Sequence, residues 1–140
     1  MPLIQLIYMS RLAGHDETSL GPILSASVRR NTASGVTGML LYANGRFLQA
    51  LEGDESAVDE TYARICRDIR HEDPLLLSKE TITQRQFSNW SMGFRHMSEA
   101  DARHLPRFAP WFRIGFESAD ISQANSVARD MLAFFKEEMA

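Results

Sequence analysis

Apolar and polar residues alternate over LIQLIYMS at 3–10, which predicts a strand with Ile4, Leu6 and Tyr8 on one face. The same period runs through RFLQALEG at 46–53, where Phe47, Gln49 and Leu51 share a face and Arg46, Ala50 and Glu52 point the other way. GVTGMLLY at 35–42 precedes it, and the linking Ala43-Asn44-Gly45 predicts a hairpin, because Asn and Gly both tolerate positive φ. HDET at 15–18 predicts a loop. After it, Ser19 and Pro22 open a helix with the stripe Leu20, Ile23, Leu24 and Val28, ending near Asn31 to Gly35. A second helix, capped by Asp54, carries Val58, Tyr62, Ile65, Cys66 and Ile69 at helical spacing and stops before Asp73-Pro74. Segments 75–87 and 90–97 predict two more strands around Ser88-Asn89.

The resulting order, βαββαββ, predicts an α+β, ferredoxin-like sandwich with strands one and three adjacent at its centre and both helices on one sheet face. Residues 98–116 predict a short helix broken by Pro106 and Pro110. A last helix follows, with Ile121, Ala124, Val127, Ala128, Met131, Leu132 and Phe135 inward. This C-terminal pair is expected to cover the other face, which divides the chain into a core at 1–97 and an extension at 98–140. Glu137 and Glu138 oppose the dipole of the last turn, so that end is expected to fray.

With 140 residues and 44% hydrophobic content, one domain with a sizeable core is expected. A net charge of -3 disfavours a nucleic-acid partner. The single cysteine, Cys66, excludes an internal disulfide framework, and its place on the helix-two stripe predicts a small buried residue. No apolar run approaches the ~20 residues that span a bilayer. MPLIQLIYMS has no basic region before its apolar stretch and does not read as a signal peptide, so a cytoplasmic protein is expected. His15, His71, His96 and His104 lack paired metal-ligand spacing.

Gln49 is the candidate chemistry. An amide in the core-facing register of a strand needs polar partners, since each unsatisfied group costs about 1–3 kcal/mol. Tyr8, on the corresponding face of strand one, is placed to meet it. By itself such a pair is more often a structural hydrogen bond that satisfies a core than a site.

QLIYMS at 5–10, RRNTASGVTGMLLY at 29–42, FLQALEG at 47–53, TYARICRDIRH at 61–71 and FSNWSMGF at 87–94 resemble, in order and spacing, the BLUF domains, blue-light sensors that use flavin. The resemblance spans about residues 2–97, and residues 98–140 look like the helical extension of short, single-domain members. It implies FAD, or FMN, held noncovalently between the helix faces carrying Ile23, Leu24 and Ile65. Tyr8 matches the electron and proton donor, Gln49 the glutamine that switches, and Asn31 a ring-edge hydrogen bonder. Arg64 and Asp68 match positions near the flavin's polar edge and side chain. Trp90 and Met92 match the strand-five pair beside the glutamine. Many relatives carry two asparagines before the G-[IV]-T-G segment, where this chain has Arg30 and then Asn31.

Such a domain is no enzyme, and with no fused effector it signals to a separate protein. Trp111, Phe112, Phe116, Phe134 and Phe135 exceed what one amphipathic face readily buries, which fits a partner surface or a contact in a homo-oligomer. Two rivals remain. A flavin-dependent oxidoreductase needs an open substrate pocket at the edge that Tyr8, Gln49 and Met92 occupy. An RNA-binding module of the same layout needs stacking aromatics on strand three, where RFLQALEG offers one phenylalanine.

Overall fold

The computed structural model describes residues 2–108, 111 and 121–139. Its strands are β1 (Leu3–Leu12), β2 (Thr37–Ala43), β3 (Arg46–Asp54), β4 (His71–Thr81) and β5 (Gly93–His96); its helices are α1 (Leu20–Ser34), α2 (Glu55–Arg67), α3 (Glu99–His104) and α4 (Ile121–Met139). The strands form one sheet in the order β4-β1-β3-β2-β5. All pairs are antiparallel except β2 with β5. The β2–β3 turn has Asn44 at φ 49 and Gly45 at φ 78, as the hairpin signal required.

Strand alternation sorts the core onto two faces. Ile4, Leu6, Tyr8, Phe47 and Leu51 pack with Ile23 of α1 and Val58 of α2. Ile7, Met9, Met39, Leu41, Leu48 and Ala50 pack on the opposite face with Ala124, Ala128, Met131, Leu132 and Phe135 of α4. The ferredoxin-like arrangement holds, with both faces covered. No helix among the described residues is long and apolar enough to cross a membrane.

Several expectations are corrected. Helix α2 stops at Arg67 because Asp68 leaves helical geometry and its carboxylate accepts the backbone N–H and guanidinium of Arg70, an Asx turn. Ile69, beyond the helix end, is 89% exposed and off the core stripe, and Cys66, within α2, is exposed rather than buried. Strand β4 begins at His71, before the expected 75, and tolerates Pro74 because it is a sheet edge. It also ends early, at Thr81. Residues 82–92 lie outside the ladder, and β4 and β5 occupy opposite edges of the sheet. Val28 lies 39% exposed on the flank of α1. Asp54 occupies the N-cap position of α2 without a side-chain cap bond, and the expected loop at 15–18 is largely 3-10 turn, at 13–15 and 17–19.

At the chain's other end, Arg95 pairs with Glu138 at 3.0 Å, tying down the last turn of α4 that was expected to fray. Trp111 and Phe135 are fully buried and Phe134 packs partly on the same cluster, so these aromatics serve the sheet rather than a free surface. Pro110, Phe112, Phe116 and the side chain of Ile121 lie outside the described residues.

Candidate functional site

Tyr8 and Gln49 are direct cross-strand partners in the β1–β3 ladder, so their side chains emerge together on the α1/α2 face. The Tyr8 hydroxyl donates to Oε1 of Gln49. The Nε2 of the same amide donates to Sδ of Met92 at 3.1 Å. All three residues are buried. The ring of Tyr62 from α2 packs on Tyr8 with centroids 5.2 Å apart. Burial holds the Tyr8 phenol well above its ordinary pKa, with Tyr62, Cys66 and Asp68 adding to it. Tyr8 is thus a neutral phenol bonded to the oxygen of an amide whose nitrogen is bonded to sulfur.

Between α1, α2 and the sheet lies a narrow cleft that opens to solvent. Ile23, Leu51 and Ile65 form its apolar walls, and Gln49 reaches it from the sheet. Asn31 lines it from the last turn of α1 and is itself buried, its Nδ2 donating to the carbonyl of Ser91 at 2.9 Å. Arg30, Arg64, Asp68 and Arg70 also line it, as does the buried His71. Arg70 clasps Asp68 through Nε–Oδ1 at 3.0 Å and a terminal nitrogen to Oδ2 at 2.7 Å, which with desolvation opposing holds that carboxyl below its usual pKa. His71 Nδ1 sits 3.0 Å from Ser10 Oγ, and burial pushes its imidazole down to about 4.

The structure gathers most of the residues singled out in the sequence, with adjustments. Ile23, Asn31, Gln49, Arg64, Ile65 and Asp68 line the cleft, and Tyr8 and Met92 stand behind Gln49. Leu24 packs into the adjoining core without lining the cleft. Arg64 pairs with Glu60 at 3.2 Å rather than with Asp68. Trp90 and Met92 precede β5 rather than belonging to it. Strand alternation would put 90 and 92 on one face, but Met92 turns to Gln49 while Trp90 packs, half-buried, in the cluster beneath α4.

A sequence model of BLUF domains, described as sensors of blue light using FAD, matches residues 3–93. The chain belongs to the BLUF family. It is 32% identical over 98 residues to the photoactivated adenylate cyclase subunit beta of Euglena gracilis, covering 68% of this chain but 11% of that protein. It is 35% identical over 91 residues to the blue light- and temperature-regulated antirepressor BluF of Escherichia coli (strain K12), covering 64% of this chain and 23% of that one. Among solved structures it is similar to the BLUF protein BlrB in its dark state, at 32% identity and TM-score 0.74, with 94% of this chain and 96% of that chain covered. The ground state of BlsA is similar at 25% identity and TM-score 0.76, with 93% and 87% covered.

As a BLUF domain the chain senses blue light with FAD. The cleft suits that cofactor: apolar walls fit a flat ring, two amides fit its carbonyl and imide edge, and three arginines suit its anionic tail. Ser27, Leu51 and Thr61 line the cleft without having been singled out in the sequence, and so do Arg70 and His71. The last two stand in TYARICRDIRH, but a helix extended to residue 72 turned them away from the site.

Proposed function

We propose that this chain is a light-operated switch rather than an enzyme, in which Tyr8 is the electron and proton donor and Gln49 the element that rearranges. Bound FAD, excited by blue light, supplies the acceptor for one electron. The residues do the rest. A buried phenol does not ionise at neutral pH, so the Tyr8 proton moves only together with its electron, and the acceptor Oε1 of Gln49 is already in place. Rotation of the amide about its last bond exchanges Oε1 and Nε2, which removes the donor from Met92 sulfur and changes what Gln49 offers the cleft. Tyr8 then recovers its electron and proton, so the cycle leaves no redox product.

The observation that carries this reading is one amide bridging Tyr8 and Met92 while lining the cleft. Asn31 and the polar lining residues Arg30, Arg64, Asp68, Arg70 and His71 hold the cofactor's polar parts, and Ile23, Leu51 and Ile65 hold its ring. Residues 1–97 form the sensor and residues 98–140 its output or oligomer contact. The signal passes to a separate protein, in the cytoplasm. Purification in the dark tests it: a yellow protein whose absorption shifts slightly red under blue light and returns in the dark is expected. Bleaching that requires an added substrate would overturn the reading in favour of an oxidoreductase.

A further inference from the structure

The segment 82–92 is fastened at its C-terminal end and at its middle by polar groups. At its C-terminal end the carbonyl of Trp90 accepts from Gly38 N at 3.2 Å, that of Ser91 accepts from Asn31 at 2.9 Å, and Met92 sulfur accepts from Gln49 at 3.1 Å. At its middle the fully buried carboxylate of Glu52 accepts the backbone N–H groups of Gln86 and Phe87 on Oε1, both at 2.9 Å. The other oxygen of Glu52 accepts Nε2 of Gln5 at 2.7 Å. Oε1 of Gln5 in turn accepts from the Arg129 guanidinium of α4 at 3.2 Å. Arg129 also donates to Ser78 Oγ at 2.7 Å and meets Glu80 at 2.8 Å.

These bonds form one directed chain from α4 to the segment that touches the switching amide. Gln5 gives its N–H to Glu52 and takes an N–H from Arg129, so turning its amide breaks both bonds. Glu52 lies three residues after Gln49 on β3, hence on the opposite face, and residues 86–92 link the two faces, with Phe87 packed beneath α4 and Met92 on the α1/α2 side. A buried, charge-assisted acceptor of backbone N–H groups holds its donors more firmly than apolar contact does.

We propose that Glu52 and Arg129 are positioning residues of the photosensor: Glu52 sets the place of residues 86–92 against Gln49, and the Glu52–Gln5–Arg129 bridge carries the displacement of that segment to α4. This rests on Gln49 being the rearranging amide. Phe87, which packs in the cluster beneath α4, offers an apolar route between the same two points. Arg129→Met separates them, because it cuts the bridge and leaves Phe87 in place.

The test is dark-versus-light hydrogen exchange on the full flavin-loaded protein, with absorbance followed in the same sample. Wild type is expected to change protection both in 86–96 and in 124–138. Arg129→Met should keep the red shift and the change in 86–96 while the change in 124–138 falls by about fivefold or more, and Arg129→Lys should restore part of it. Glu52→Gln should speed dark recovery, because one of the N–H groups it holds then faces an amide donor. An α4 response in Arg129→Met equal to wild type overturns the bridge, as does a wild type whose spectrum switches while 124–138 stays unchanged. A wild type with no red shift fails earlier, at Gln49 itself, and takes the bridge with it.

Discussion

At the scale of single residues, Tyr8 and Gln49 satisfy each other in a place water does not reach. Gln49→Leu keeps similar volume and should retain the fold and some flavin but lose the reversible red shift, and Tyr8→Phe should do nearly the same; absorbance under blue light checks both. Each single change strands one buried polar atom at a cost of about 1–3 kcal/mol. The double variant strands neither, so urea unfolding should find it less destabilised than the sum of the singles by about 1 kcal/mol or more. A full spectral shift in either loaded variant would remove the pair from the mechanism. His71 gives a pH signature. Its folded pKa, near 4 through burial, lies below the unfolded value, so between pH 6.5 and 4 the unfolded chain takes up a proton that the folded chain refuses. Its contribution is complete above pH 6.5 and is lost as pH falls toward 4, on the order of 2–3 kcal/mol. Urea titrations of flavin-free protein should show that loss in wild type and much less of it in His71→Gln; parallel curves would refute it. The first pair was legible because period two fixes a face. His71 was not, because an Asx turn at Asp68 rather than the apolar stripe decides where α2 ends.

At the scale of elements, Gly38 fixes how closely β2 and β3 approach. A Cβ there would lie 2.0 Å from the carbonyl oxygen of Ala50 and 3.3 Å from Met92 Cε, so Gly38→Ala must push the strands apart and crowd the end of Met92. A loss of about 2 kcal/mol or more in chemical denaturation is expected, with an altered dark spectrum; a variant matching wild type in both would contradict the close approach. The two cleft helices differ in grip. Asn31 is buried at the end of α1 and Arg64 is half-exposed on α2, so Asn31→Ala should release more flavin on gel filtration than Arg64→Ala, because buried hydrogen bonds outweigh solvated ones. Equal retention would deny Asn31 its role. The helices, the hairpin and β1–β3 were legible from periodicity and turn chemistry. The segment 82–92 was not. Its apolar content mimics a strand, but its N–H groups at 86 and 87 are taken by the Glu52 carboxylate, a long-range partner that no local pattern announces.

At the scale of the whole molecule, α4 is the lid of a second core rather than an appendage on a finished one. Met39, Leu41, Leu48 and Ala50 of the central strands are buried beneath Ala128, Met131, Leu132 and Phe135. Inward residues of this helix were readable from its spacing, whereas its anchoring by Arg95 to Glu138 was hidden, because that pair joins positions 43 apart in sequence. A chain cut after residue 97 would expose that apolar face across the sheet. Each large side chain returned to water forfeits about 1.5–3 kcal/mol, so the handful beneath α4 is comparable with the whole of a typical domain's margin of about 5–15 kcal/mol. The truncated chain should therefore aggregate or pair through the bared face, losing its cooperative melt, while the cleft residues remain formally present. Size-exclusion chromatography and thermal melting against the full chain decide the matter. A monomeric 1–97 fragment that melts within a few degrees of the full chain and still binds flavin would mean that the extension is a detachable module, free to leave the sheet when it signals. Aggregation would mean that any output must travel by small shifts within a core that stays closed, because α4 cannot leave without unfolding what it covers.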